Sequence, residues 1–408
     1  MGQKFTGNVF TGEPAIHLGV IGYGERIAMD IMSNLERYQM NIKITAICNR
    51  NLEQAKKRAI TYGLDPTQIK FYTDAEKMLD ENQFDGVMVG TFNDTHTYFA
   101  TMVMQRKIPL FLEKPVGVTL DELKHLRDTY LQTKCPVIVS FPFRTSPVVK
   151  KVKEIIDSGE IGTVAHIEWV NNVAYGGLYY HNWLRDEQLT GGLYFAKATH
   201  DFDCMNYLLG QKPMEIITVS SKVIFKGDRP ADLHCGDCER KEFCEESPFF
   251  IKYMAYDDNV MGDMCCFAVD TGNHDSGSAL IRYEDGMHVN YSQNFVSRRK
   301  AAEHKATIIG YHGTIVMDEE NQAIDIYMHH KPYDQHIQFD LLEVGRHAGD
   351  HGLAYDFIKL LKRGERPRAT LEDGIIGSLM GIAAQKSSET RSFEKINWQD
   401  FILNEFCE

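Results

Sequence analysis

The sequence predicts an α/β protein with a doubly wound parallel sheet in its N-terminal part and a large, mostly antiparallel open sheet in its C-terminal part. Three observations lead there. Short apolar runs alternate with helical patterns from residue 16 to residue 140, as strands covered on both faces by helices do. From residue 163 the runs alternate apolar and polar with period two, as a sheet with one covered face does. The length of 408 residues exceeds that of a usual single domain. The division is placed after residue 141, giving 1–141 and 142–408.

Taken in order, residues 17–21 read as the first strand, followed directly by Gly22-Tyr23-Gly24. Ile27, Ile31 and Leu35 then repeat every four residues, the mark of a helix with one apolar face. Strand, glycine turn and helix is the setting in which G-x-G binds a dinucleotide. Gly22 makes the tight turn, Gly24 lets the backbone approach a pyrophosphate, and the helix start faces that anion. The third glycine of the fingerprint is due at position 27, where Ile27 stands. The helix must therefore sit further out or turn differently. Tyr23, Arg26 and Ile27 share this turn and are expected beside the cofactor.

Residues 42–48 read as a second strand ending at Asn49-Arg50. An NAD site usually places an acid about 20 residues past the glycines, on the ribose 2′-hydroxyl. Here that place falls to Asn49, whose amide still bonds a hydroxyl and does not repel a 2′-phosphate. Arg50 suits pairing with that phosphate or stacking on adenine. NAD and NADP both stay open.

The alternation continues with a helix over 51–62, a strand at 69–72, a helix at 74–80 and a strand at 84–90 that leads into Thr91-Phe92-Asn93-Asp94-Thr95-His96. A helix to residue 104 and a strand at 109–112 follow, the strand ending at Glu113-Lys114-Pro115. A helix at 120–131 and a strand at 137–140 complete the set. Ligands of parallel sheets bind beyond the carboxyl ends of the strands. Gly22, Asn49, Thr91 and Lys114 all fall there and should converge on one crevice, with Asn93, His96 and Glu113 beside them.

After residue 141 come a helix at 148–158 and a long strand at 163–171. Strands at 278–283 and 287–293 flank Asp285-Gly286, a strong hairpin signal. Short strands follow at 307–310, 314–317, 323–328 and 337–339, and helices at 352–363 and 371–389 close the chain.

Composition narrows the function classes. Apolar residues make up 43% and charged residues 25%, an ordinary soluble balance. No apolar run reaches the roughly 18 residues of a membrane span, and residues 1–6 lack a signal-peptide core. The net charge of −13 (44 basic against 57 acidic residues) repels nucleic acid and anionic membranes. The expected partner is a small molecule. Nine cysteines without an export signal point to reduced thiols and the cytoplasm.

Gly19-Val20-Ile21-Gly22-Tyr23-Gly24, the Thr91–His96 segment, Glu113-Lys114-Pro115, and Gly191-Gly192 running into His200-Asp201-Phe202-Asp203 occur in this order. With them the chain resembles the glucose–fructose oxidoreductase/inositol dehydrogenase/rhizopine-catabolism (Gfo/Idh/MocA) family over roughly residues 16–391. The resemblance implies a Rossmann domain, an open-sheet α/β domain, a bound nicotinamide cofactor, and pyranose, inositol or related polyol substrates. It also implies pairing into homo-oligomers, dimers or tetramers.

Hydride transfer from a carbinol carbon needs a group to take the hydroxyl proton and a donor to hold the oxygen. Lys114 suits the holding role, and His200 the proton acceptor. Inositol dehydrogenases of the family carry an aspartate four residues before this histidine. Here that place is Ala196, followed by Lys197, so His200 lacks its usual carboxylate and is expected to titrate near the ordinary value of about 6.5.

Further substrate contacts are expected from Tyr180, Trp183, Arg185 and Lys197, whose rings and charges suit a sugar. Asp350 reads as an N-terminal helix cap. Cys235-x2-Cys238-x5-Cys244 has a first pair with zinc-knuckle spacing, with Cys265 or Cys266 available as a fourth thiolate, and suggests a structural zinc. The reading is an NAD(P)-dependent oxidoreductase acting on a secondary hydroxyl of a sugar, sugar derivative or cyclic polyol, with Lys114 and His200 carrying the proton chemistry. Two rivals share the motifs. One is a glycosidase that oxidises its substrate transiently and recycles NAD; the other is a dinucleotide sensor without chemistry.

Overall fold

Six short strands, all parallel, make the first sheet. They are β1 (Ile16–Ile21), β2 (Ile42–Cys48), β3 (Lys70–Tyr72), β4 (Gly86–Val89), β5 (Leu110–Leu112) and β6 (Val137–Val139), in the order β3-β2-β1-β4-β5-β6. The order reverses between β1 and β4, and a crevice opens at such a switch point. The computed structural model describes residues 15–32, 35, 41–253, 262–340 and 348–403.

Both faces of this sheet are covered, as near-continuous apolar strands require. Val20, Ile47, Met88, Phe111 and Ile138 join one buried cluster, and Val87, Val89, Leu110, Leu112 and Val137 join another. The helices begin where short polar side chains take up free N–H groups: Asn51 accepts from Gln54, Asp74 from Lys77, and Thr119 forms a capping box with Glu122. Each such cap is worth about 1 kcal/mol.

The segment after the glycines is not an ordinary α-helix. Arg26–Met32 is π-helical, burying Ile27, Ala28, Ile31 and Met32. Its clearance comes from the neighbouring strand. A side chain on Gly90, at the end of β4, would come within 2.5 Å of the Ile27 side chain. Close packing here is thus achieved by a glycine on β4 rather than by one on the helix.

The second sheet has nine strands: β7 (Val164–Asn172), β8 (Pro213–Ser221), β9 (Ser276–Tyr283), β10 (His288–Asn294), β11 (Glu303–Gly310), β12 (Gly313–Asp318), β13 (Ala323–Met328), β14 (Asp334–Gln338) and β15 (Glu394–Lys395). Their order is β14-β13-β12-β11-β7-β10-β9-β8-β15. Only β7 and β10 pair in parallel; the rest are antiparallel. The Asp285-Gly286 hairpin forms as expected, with Gly286 at φ 90°. β8 and β15 escaped the sequence reading, since β8 opens on Pro213 and closes on Ser220-Ser221, and β15 has two residues.

The chain does not stay with its second sheet. Helix Ala348–Arg363 returns to the first, where Leu353, Ala354, Phe357 and Ile358 join the cluster built on Leu18 and Val20. Phe357 meets Phe111 edge-on at 5.4 Å, and Gly86 leaves the space that Leu361 and Phe357 fill. A cut at residue 141 separates the two sheets but not their coverings. Helix Leu371–Thr390 then packs against helix Ala198–Leu209, β6 and β8.

Candidate active site

At the end of β1, Gly22 has φ 81°, and a side chain there would meet Thr91 at 2.6 Å and the Gly90 carbonyl at 2.7 Å. Only glycine fits this turn. Above Gly24 the nearest atom to a built side chain is the Gly90 carbonyl at 3.8 Å, so its outer side is open. A tight turn followed by an uncovered backbone at a helix start is what a pyrophosphate needs. The residues present fit a dinucleotide.

Asn49 closes the loop from the β2 side. Its side-chain oxygen accepts from the Tyr23 N–H at 3.2 Å, and its amide nitrogen donates to the Asn51 carbonyl at 2.9 Å. Tyr23 itself is buried, and its carbonyl accepts from Arg58 at 2.6 Å. Arg50 is exposed and lies 5.3 Å over the ring of Phe92, which in turn contacts Trp183 at 4.5 Å. Arg50, Phe92 and Trp183 therefore line one edge of the crevice together. Phe92 is the member that motif reasoning passed over.

Arg26 turns away from the glycine loop. Its Nε donates to Glu113 at 3.3 Å, and its guanidinium also reaches Ser140 at 3.2 Å, Asp30 at 3.2 Å and Asp350 at 2.5 Å. Burial disfavours the charge, but Asp350, Glu113 and Asp30 outweigh it and raise the Arg26 pKa. Burial is also the largest influence on Glu113, raising its pKa against the pull of Arg26 and Lys114. Asp350 lies inside the first turn of its helix and serves as this ion-pair partner, where a cap was expected.

Thr91, Asn93 and His96 knit the crevice floor. Thr95 donates to Thr91 Oγ1 at 2.8 Å, and Asn93 donates to the Thr190 carbonyl at 2.9 Å, joining the two halves of the chain. His96 is buried with Nδ1 2.7 Å from the Pro115 carbonyl and Nε2 3.2 Å from that of Thr91. Burial lowers its pKa, and it acts here as a brace.

Lys114 stands at the end of β5, before a cis bond to Pro115, and its amine donates to the Ala196 carbonyl at 2.5 Å. Burial, assisted by the charges of Lys197 and Arg26 and opposed by Glu113, lowers its pKa to about 7. The main chain at Ala196, four residues before His200, thus occupies the lysine. His200 lies between Phe141 (6.3 Å) and Phe143 (5.7 Å), and its Nδ1 has no partner among the described residues. Burial, then Lys114, Lys197, Arg26 and His304, push its pKa well below the ordinary value. This corrects the expectation of an ordinary histidine, because the ring is buried with cations around it.

Neither nearby acid orients His200. Asp201 is committed to His304 (2.8 Å), Asn171 (2.7 Å) and Tyr291 (2.9 Å), and Asp203 to Arg144 at 2.7 and 2.9 Å. Of the expected sugar contacts, Trp183 and Lys197 belong to the crevice. Tyr180 and Arg185 are core residues: Tyr180 packs on Phe225 at 4.1 Å and donates to the His274 carbonyl, and Arg185 is buried against Asp270. Their helical turns face inward, where Phe225, His274 and Asp270 pack against them.

Cys235, Cys238, Cys244 and Cys265 lie near enough to act on one another electrostatically. Cys235, Cys238, Cys244, Cys265 and Cys266 are free thiols, and burial, helped by Cys265, Cys244, Asp263 and Cys238, raises the Cys235 pKa to about 12. Among the described residues, the group with ligand atoms all within 4.8 Å of one another is His181, Glu246 and Cys266, not the Cys235–Cys238–Cys244 set. Arg298 already pairs with Glu246 at 3.0 Å.

The fold and crevice define a two-domain dinucleotide-binding oxidoreductase. The chain belongs to the Gfo/Idh/MocA family: residues 16–141 match its NAD-binding Rossmann fold and residues 153–397 its C-terminal alpha/beta domain. It is 26% identical over 359 residues to the protein YteT of Bacillus subtilis, covering 80% of this chain and 83% of that protein. Over 384 residues it is 21% identical to myo-inositol 2-dehydrogenase of Thermotoga maritima, covering 93% and 98%. A levoglucosan dehydrogenase solved with NADH and levoglucosan has a TM-score of 0.75 at 18% identity, covering 94% of this chain and 100% of that one. Among the described residues, no helix is long and apolar enough to cross a membrane.

Proposed function

We propose that this protein is an NAD(P)-dependent dehydrogenase that oxidises a secondary hydroxyl of a sugar, sugar derivative or cyclic polyol, in the cytoplasm and as a homo-oligomer. The observation that carries the reading is the pairing of a lysine amine of pKa about 7 with a neutral histidine whose Nδ1 is unpartnered. Gly22, Gly24, Asn49 and Arg50 would hold the dinucleotide, which supplies the acceptor for a carbinol hydride. Lys114 in its amine form takes or shares the hydroxyl proton, and as the ammonium it holds the carbonyl oxygen of the product. His200 offers the same oxygen a second hydrogen bond through Nδ1. Asn49 admits either cofactor, and Arg50 on Phe92 forms a cationic face for adenine or a 2′-phosphate.

The deciding assay follows absorbance at 340 nm with NAD+ and NADP+ over myo-inositol, scyllo-inositol, D-glucose and levoglucosan. Reduced cofactor should accumulate in step with oxidised substrate. Cleavage of nitrophenyl glycosides without net reduction would favour the redox-neutral glycosidase instead. Cofactor binding with neither reaction would favour a sensor.

A further inference from the structure

Lys197 is the second lysine of the crevice and is only 5% exposed. Its amine donates to the Tyr175 hydroxyl at 2.6 Å and lies 5.0 Å from the centre of that ring. Burial opposes its charge, but Tyr175, Tyr179 and Asp201 raise its pKa, so it is an ammonium. An ammonium has donors only. The phenol oxygen must therefore accept, and its own O–H points elsewhere; among the described residues no acceptor is in reach.

Tyr175 is nonetheless fixed. The turn that carries it presses Gly176 against the Phe295 carbonyl with no room for a side chain, and its ring lies 6.4 Å from Tyr179, itself packed on Phe295 at 5.3 Å. Tyr175 is 43% exposed, so a rooted phenol projects into open space. Lys114 bonds the carbonyl of Ala196, next to Lys197 in the chain, and the His200 N–H donates to the Lys197 carbonyl at 3.3 Å, which places the pair on the same crevice. Those two residues already serve the reacting oxygen.

We propose that Tyr175, held in place by Lys197, recognises a second substrate oxygen beside the reacting hydroxyl and so selects polyols and sugars over isolated secondary alcohols. This rests on the dehydrogenase reading above.

Wild type, Tyr175→Phe and Lys197→Met would be compared with myo-inositol, D-glucose, levoglucosan and, as the monohydroxy control, cyclohexanol. On a polyol that the wild type oxidises, Tyr175→Phe should raise KM roughly three- to tenfold, the worth of one hydrogen bond. It should leave the rate with cyclohexanol and the NADH affinity, read by fluorescence, unchanged. An unaltered KM overturns the proposal. A second readout needs no turnover: in protein labelled with 13C at tyrosine Cζ, the Tyr175 resonance, assigned by its loss in Tyr175→Phe, should move in Lys197→Met. It should move again when a polyol is added to the NADH complex. If no compound is oxidised, the dehydrogenase reading fails by itself, and a Tyr175 resonance still shifted by a bound polyol upholds the recognition role. A resonance indifferent both to Lys197→Met and to every polyol overturns it.

Discussion

An amine that titrates near pH 7 changes its charge in the range where enzymes work, and Lys114 is such an amine. Below that value it is an ammonium that can hold an oxygen but cannot take a proton; above it the free amine accepts one. His200 stays neutral across the same range because its pKa is depressed well below its ordinary value. Oxidation of a polyol should therefore rise with pH through about 7, and reduction of the ketone should fall. Initial rates in both directions from pH 5.5 to 9 check this, and a profile controlled by His200 would break instead on the acid side. Lys114→Ala and His200→Ala should each lower kcat about a hundred- to ten-thousandfold with NADH affinity kept, and less than additively together. Lys114 and His200 were legible because each lies inside a short motif. The Arg26–Asp350 pair was not: the partners are far apart in sequence, and an acid at a helix start ordinarily reads as a cap.

The glycine turn makes its prediction at the scale of an element. Gly24→Val would fill the one open side of the loop with a branched side chain at the point where a pyrophosphate must sit. Overpacking of that kind costs about 1–3 kcal/mol, or roughly 5- to 150-fold in affinity. NADH titration by fluorescence should show this loss with an unchanged far-ultraviolet spectrum; undiminished binding would remove the dinucleotide from this turn. The strands of the first sheet were readable because burial on both faces writes a plain apolar run. The helix after them was readable in its place but not in its kind. Nothing near Ile27 announces that Gly90 provides the missing clearance, since the two meet only once β1 and β4 are side by side. In the second sheet the Asp285-Gly286 hairpin was unmistakable, whereas β8 hides behind a proline and two serines.

Across the whole molecule, the apolar face built on Leu18, Val20, Ile47, Met88 and Phe111 is closed by Leu353, Phe357 and Ile358, from a helix more than two hundred residues further along. A chain ending at residue 141 should accordingly be insoluble or bind NADH far more weakly than the full protein. Supplying residues 348–363 through a flexible linker should restore part of both properties, as measured by soluble yield and fluorescence titration. A well-folded, tightly binding fragment without that helix would refute the dependence.

That returning helix also sets an order of events on the ribosome. The strands that cradle the dinucleotide are the first to emerge, yet one side of their sheet stays only partly covered while all of the second sheet but β15 is being made. Only when residues 348–363 leave the exit tunnel can that side be sealed and Asp350 reach Arg26. The nascent chain therefore carries an incomplete nucleotide site for most of its synthesis, and a nonsense mutation late in the gene, well beyond every glycine of the fingerprint, should remove cofactor binding as surely as one placed early.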